Sequence, residues 1–243
     1  MKSKYNDVVA VPLPDQTATY VPLPNKEMIQ LVKDQIEIFI PGSSIVNEEY
    51  WLSSDHQRMC ARFDLLGDGI EDNFPMSVMI KNSYDKSSAA AIGTGVLCED
   101  KFCTRSEDIT LIRKHTKFLK PSFSAYVAKC LDTAFLRYKD VLFLTDILKK
   151  VECTDLHAFS LLGMARGFGT IGTRAMSDAY KRWNQSSESQ TLWTVSKSIL
   201  GYVEDRGEPS DMLEDAGKLG NLIEMLPEIF NIQIQGELNE EVM

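Results

Sequence analysis

Between residues 44 and 104 apolar side chains tend to recur at every second position, and from 121 onward they recur every three or four. That change of period constrains the fold more than any other feature of the chain. In Arg58 to Leu65, Met59, Ala61, Phe63 and Leu65 point one way, while Arg58, Arg62 and Asp64 point the other. A strand repeats every two residues, so this segment reads as a half-buried strand with one polar face. Leu66-Gly67-Asp68-Gly69 turns it and Pro75 to Tyr84 returns. Ile92 to Cys98, the turn Glu99-Asp100 and Phe102 to Thr104 read as a further hairpin. Gly93 and Gly95 share a face, where bare backbone either admits a close neighbour or marks a bulge.

Ahead of the sheet, Val11-Pro12-Leu13-Pro14 and Val21-Pro22-Leu23-Pro24 read as extended edge segments, since proline lacks a ladder donor. Asn25 is expected to cap a helix whose buried stripe is Met28, Val32, Ile36 and Phe39, ended by Pro41-Gly42. After residue 121, Ser122 is expected to open a helix on Phe123, Val127, Cys130 and Ala134. Further helical segments lie near 140–150, 154–166, 173–184 and 189–205. Asp211 with Glu214 resembles a capping box that opens a helix running to Leu226, where Pro227 stops it. The expected fold is therefore α+β: an N-terminal mixed or antiparallel sheet with a helix (1–120), then a helical region (121–233). A flexible acidic tail (234–243) closes the chain.

Hydrophobic content of 44% in 243 residues predicts a substantial core. No apolar run approaches the roughly 18 residues needed to span a bilayer, and no signal-like segment follows Met1, so the expectation is a cytoplasmic protein with no membrane partner. Five scattered cysteines suit reduced thiols better than a disulfide framework. The net charge of −9 is unevenly spread. Residues 202–243 carry eleven acidic side chains against Arg206 and Lys218, whereas residues 101–150 carry eleven basic against five acidic. A basic middle and an acidic end point either to a charged partner or to the solvated faces of ordinary helices.

Several constellations bear on chemistry. Gly167-Phe168-Gly169-Thr170-Ile171-Gly172 matches G-x-G-x-x-G but follows a helical segment, so it reads as an interhelical connection and no nucleotide cofactor is expected. Asp85 with Glu99 and Lys101 resembles a metal-nuclease D…E-x-K set, yet Glu99 and Lys101 fall at a hairpin tip; no metal site and no catalytic set are assigned. His56, His115 and His157 are dispersed. The stretch Asn82-Ser83-Tyr84-Asp85-Lys86-Ser87-Ser88 instead reads as an ordered turn held by Asn82, Ser83, Asp85, Ser87 and Ser88. Arg105, Arg113, Lys114, Lys117 and Lys120, together with Lys86, offer cations for phosphate oxygens, and Tyr84 offers a ring for an unpaired base.

Four blocks occur in a familiar order. Tyr20-Val21-Pro22-Leu23-Pro24-Asn25 resembles Y-x-P-x-x-N, and Asn82 to Ala89 resembles N-S-h-D-G-S-S-A. Ile112 to Thr116 is similar to I-R-H-T, and Thr191-Leu192-Trp193 with Tyr202 to Asp205 is similar to T-L-W…E-Y-V-D. Together they resemble an uncharacterised domain family of phage and plasmid genomes, over about residues 20–206. Lys86 stands where that hallmark carries glycine, and Glu99 to Cys103 replaces its C-T-N. The resemblance implies a mobile-DNA context and, by analogy of layout alone, single-strand annealing proteins. The expected function is a non-enzymatic protein binding single-stranded nucleic acid in recombination or replication, in the cytoplasm of an infected or plasmid-bearing bacterial cell. The alternative is an accessory protein that binds a host protein, for example to counter a defence system. Assembly into a homo-oligomer is left open.

Overall fold

The computed structural model describes residues 1–111, 119–205 and 209–232. Its alternating segments form an antiparallel meander of β2 (Ser44–Leu52), β3 (Arg58–Leu66), β4 (Met76–Ser83) and β5 (Ala91–Cys98). The N-terminal strand β1 (Lys2–Ser3) adds to the β2 edge, followed by the short helix α1 (Tyr5–Val9). The other edge of β5 is shared: β6 (Lys101–Cys103) pairs Val96–Cys98, and β7 (Ile109–Leu111) pairs Ala91–Gly93. Helix α2 (Asn25–Phe39) precedes the meander. Five helices follow it: α3 (Leu119–Lys150), α4 (Asp155–Gly167), α5 (Thr173–Asn184), α6 (Leu192–Asp205) and α7 (Pro209–Ile229). The fold is α+β.

One sheet face carries the expected stripe. Met59, Ala61, Phe63, Leu65, Val78 and Ile80 pack in one cluster with Met28, Ile29, Val32 and Ile36 of α2 and Phe123, Val127 and Leu131 of α3. Burial of each large side chain there contributes about 1.5–3 kcal/mol before entropy is counted. This cluster continues through α4 to α7 as far as Leu226, so residues on both sides of position 120 share one core. Two details of α2 differ from expectation. Phe39 is exposed while Ile40 is buried, and Asn25 makes no cap, because its amide is turned inward toward Val8.

The polar face of the strands is also covered. Helix α7 lays Met212, Leu213 and Ala216 on Cys60, Met79 and Ala91, flanked by Trp51 and Phe102. Gly93 makes room for α7, since a Cβ there would sit 2.8 Å from Leu213, and Gly95 makes room for β6, since a Cβ there would sit 2.1 Å from the Cys103 carbonyl oxygen. Beside that patch, Arg62 is 3% exposed yet matched by Asp64 at 3.0 Å, Glu49 at 3.3 Å and Glu204 at 3.5 Å. Asp64 also accepts from Ser77 at 2.6 Å and Asn47 at 2.8 Å. A charge can lie under a helix at tolerable cost only when paired and hydrogen-bonded in this way.

Two helix boundaries differ from expectation: α3 begins at Leu119, ahead of Ser122, and α7 does not stop at Pro227. Pro121 sits in the first turn of a continuous 32-residue α3, where its missing N–H leaves no helix bond unmade. Pro227 lies inside α7, which continues to Ile229. Among the described residues all five cysteines are free and buried, and no helix is long and apolar enough to cross a membrane. The tail assigned to 234–243 lies outside the described residues.

Candidate functional site

The turn between β4 and β5 is built from the inside outward. Asn82, 2% exposed, donates through its amide to the Asn25 side-chain oxygen at 2.7 Å and to the Leu23 carbonyl at 2.9 Å. Its own oxygen accepts from the Ser83 backbone N–H at 3.1 Å. The Tyr84 hydroxyl accepts from the Asn25 backbone N–H at 2.8 Å, and the Tyr20 hydroxyl donates to the Tyr84 carbonyl at 3.2 Å. The Tyr20–Asn25 and Asn82–Ser88 blocks, far apart in sequence, are thus one hydrogen-bonded unit.

Outside this anchor the turn closes on Asp85. Its Oδ1 accepts from the Ser83 hydroxyl at 2.5 Å and from the Ser87 N–H at 2.9 Å, and Arg58 approaches its Oδ2 at 3.5 Å. Partial burial opposes ionisation of this carboxyl, but the serine hydrogen bonds and the Arg58 charge outweigh it and hold the carboxyl below its usual range. Ser88 adds a long backbone contact to the Ser83 hydroxyl at 3.5 Å. The five residues singled out for the turn are therefore brought together. Lys86 occupies the left-handed region, φ 64°, and extends its ammonium over the Tyr20 ring at 4.5 Å. Asp85, Lys86 and Ser87 face solvent at the tip.

Lys81, Ser87 and Ser88 form one wall of a polar cleft of about 530 Å³, with Asp211, Glu214, Asp215 and Lys218 of α7 opposite and Gly169 beside them. Lys81, 3% exposed, pairs with Glu214, which docks α7 at this end of the sheet. Gly169 (φ 72°) belongs to the G-x-G-x-x-G segment, which serves here as the α4–α5 connection. The α7 carboxylates escaped sequence reasoning. The D-x-x-E pattern was visible but was read only as a cap.

The basic residues separate into groups. Arg105 is buried and fully engaged: it meets Glu224 at 2.6 Å, Asp108 at 3.0 Å and Glu107 at 3.2 Å. Tyr84 is 5% exposed, so its ring faces the core. Both side chains are committed to the fold. Arg113, Lys114 and Lys117 lie outside the described residues, and Lys120 belongs to the first turn of α3. The uneven charge has a structural use: Glu204 pairs with Lys101 and Arg62, Glu214 with Lys81, and Glu224 with Arg105. Part of the acidic end thus neutralises cations of the sheet and the strands beside it.

The metal-nuclease arrangement does not assemble. Asp85 precedes β5 and Glu99 follows it, and eight residues of strand separate them by roughly 25 Å. Glu99 is instead held by Lys149 and Lys197, each at 2.8 Å, and Lys101 by Glu204 at 3.2 Å. Among the described residues no group of three or more His, Cys, Asp or Glu is placed to hold a metal. No family model, curated protein or solved structure matches this chain.

Proposed function

We propose that this chain is a non-enzymatic nucleic-acid-binding protein of a phage or plasmid, acting on single strands in recombination or replication in the bacterial cytoplasm. The register of β7 is the observation that carries the reading. Leu111 pairs with Ala91, the first residue of β5, so the described chain reaches the sheet end that presents Lys86 and Ser87, and Arg113, Lys114 and Lys117 follow Leu111 in sequence. A turn held by buried amides offers a pre-set platform, and Lys86 with the basic residues that follow Leu111 in sequence would supply the sequence-independent attraction to phosphates. Titration of a labelled single-stranded oligonucleotide, followed by fluorescence anisotropy, tests the reading. Binding should weaken steeply as salt rises. No measurable binding at about 50 mM salt would overturn it.

A host-protein partner is the second reading, favoured by an apolar patch around α4. Leu156 and Phe159, three residues apart on α4, are 73% and 53% exposed, and Phe159 stacks on Tyr180 at 4.6 Å. Exposed clusters of large apolar side chains commonly mark protein interaction sites. A preparation without oligonucleotide affinity that captures a host protein, and loses it with Phe159→Asp, would favour this reading.

A further inference from the structure

One face of α4 carries bulk at its start and bare backbone at its end. With about 3.6 residues per turn, Leu156, Phe159, Ser160, Gly163, Arg166 and Gly167 fall within an arc of roughly 120°. All six are exposed, and the opposite arc holds the buried Ala158, Leu161, Leu162 and Ala165. The described fold does not require the two glycines. A Cβ on Gly163 or Gly167 would meet nothing within 4 Å, and neither backbone is left-handed. Glycine weakens a helix relative to alanine, most of all at an interior position such as Gly163. What bare backbone on an open helix face allows is the close approach of another element.

This face is complementary to itself. Turned antiparallel about a two-fold axis level with Leu161, one α4 sets Leu156 against Gly167 and Phe159 against Gly163 of the other, and symmetry repeats both contacts. Phe159 is already held by its stack on Tyr180, so docking costs it little side-chain freedom. Asp155, Phe159 and Arg166 lie along one flank of the arc, and the antiparallel two-fold keeps that flank on the same side in both copies. Asp155 of each copy thereby meets Arg166 of the other, and Arg166 has no ion pair among the described residues. A parallel pair would instead set Arg166 on Arg166 and Phe159 on Phe159, losing both matches. We propose that this face of α4 binds a second copy of the chain as an antiparallel, two-fold dimer. A second copy supplies bulk for hollow and charge for charge by symmetry, whereas a host protein would have to bring both.

Sedimentation velocity of the full chain over a concentration series tests the dimer, without reference to nucleic acid. A reversible monomer–dimer equilibrium with a Kd of about 10–100 µM is expected, because one helix pair is a small interface. Gly163→Gln should weaken dimerisation at least about tenfold. The same variant should leave the melting temperature of the dilute monomer unchanged or higher, since the fold has room for the side chain and glutamine favours helix. Asp155→Lys and Arg166→Glu should each weaken association alone, and mixing the two variants should restore it, because only unlike charges meet in that heterodimer. The Gly163→Gln comparison stands even if Asp155→Lys, at the helix N-terminus, fails to fold. A chain that stays monomeric to about 500 µM would overturn the assignment and leave the face to a host protein. A dimer untouched by Gly163→Gln, or a mixture of the two folded charge variants no tighter than either alone, would overturn it as well.

Discussion

The side-chain amide of Asn82 donates to the side-chain oxygen of Asn25 at 2.7 Å, joining the turn after β4 to the first residue of α2. Both residues are almost fully buried, so neither amide can turn to water if the other is removed. Asn82→Ala strands the Asn25 oxygen and the Leu23 carbonyl, and should cost about 1–3 kcal/mol in urea unfolding. A double-mutant cycle with Asn25→Ala should show a coupling of at least about 0.5 kcal/mol. Strictly additive losses would mean that the two blocks are not one unit.

Residue 86 tests the conformation of the turn. A side chain in the left-handed region costs roughly 1–2 kcal/mol, a cost glycine avoids, and glycine is the residue that the resembled hallmark carries there. Lys86 offsets part of this through its contact with the Tyr20 ring. Lys86→Gly should therefore be about 1 kcal/mol more stable than Lys86→Ala, which keeps the strain and loses the contact. Equal unfolding midpoints for the two variants would show that the turn does not impose this backbone.

Acid sensitivity should trace in part to Glu99. Partial burial opposes its ionisation, but hydrogen bonds and charge from Lys149 and Lys197 prevail and lower its carboxyl to about 2. A depressed carboxyl contributes stability above its unfolded value of 4.5, and that contribution is lost as pH falls toward 2. Melting temperatures of wild type and Glu99→Gln should differ near neutrality and converge at the acid end. The gap should be modest because Glu99 is partly exposed and its pairs are screened. A gap that persists unchanged at low pH would contradict this account.

Arg105 and the Arg113–Lys120 cations should behave oppositely. If Arg113, Lys114, Lys117 and Lys120 each neutralise one phosphate, the log–log salt slope for a single strand should be near −3, from about −0.7 per contact. Arg113→Ala with Lys117→Ala should flatten it by about one unit. Arg105→Ala should leave the slope intact and instead destabilise the fold by about 3 kcal/mol, because Asp108 and Glu224 lose their buried partner. Loss of slope with Arg105→Ala would place that guanidinium on the ligand.

Local pattern carried much of the fold. The two-residue repeat of Met59, Ala61, Phe63 and Leu65 and the helical stripe of Met28, Val32 and Ile36 are properties of neighbouring residues, and each appears where its period requires. The turn at Asn82–Ser88 was legible for the same reason: Asp85 and Ser87 close it within a few residues. Its anchor was not, since nothing near Asn82 in the chain announces Asn25 or Leu23 as partners.

What surrounds the polar side of β3 and β4 was decided by tertiary structure alone. Arg62, Asp64 and Lys81 are the residues expected on a wet sheet face, yet all three are buried. Whether such a face meets water or a helix depends on a segment more than a hundred residues later, where Leu213 and Ala216 supply apolar cover and Glu204 and Glu214 supply the matching charge. Strand periodicity records only which side chains share a face. Burial and charge pairing belong to both surfaces that meet, so the same Lys/Arg and Asp/Glu pattern that suggested an external partner is partly spent holding α6 and α7 to the sheet.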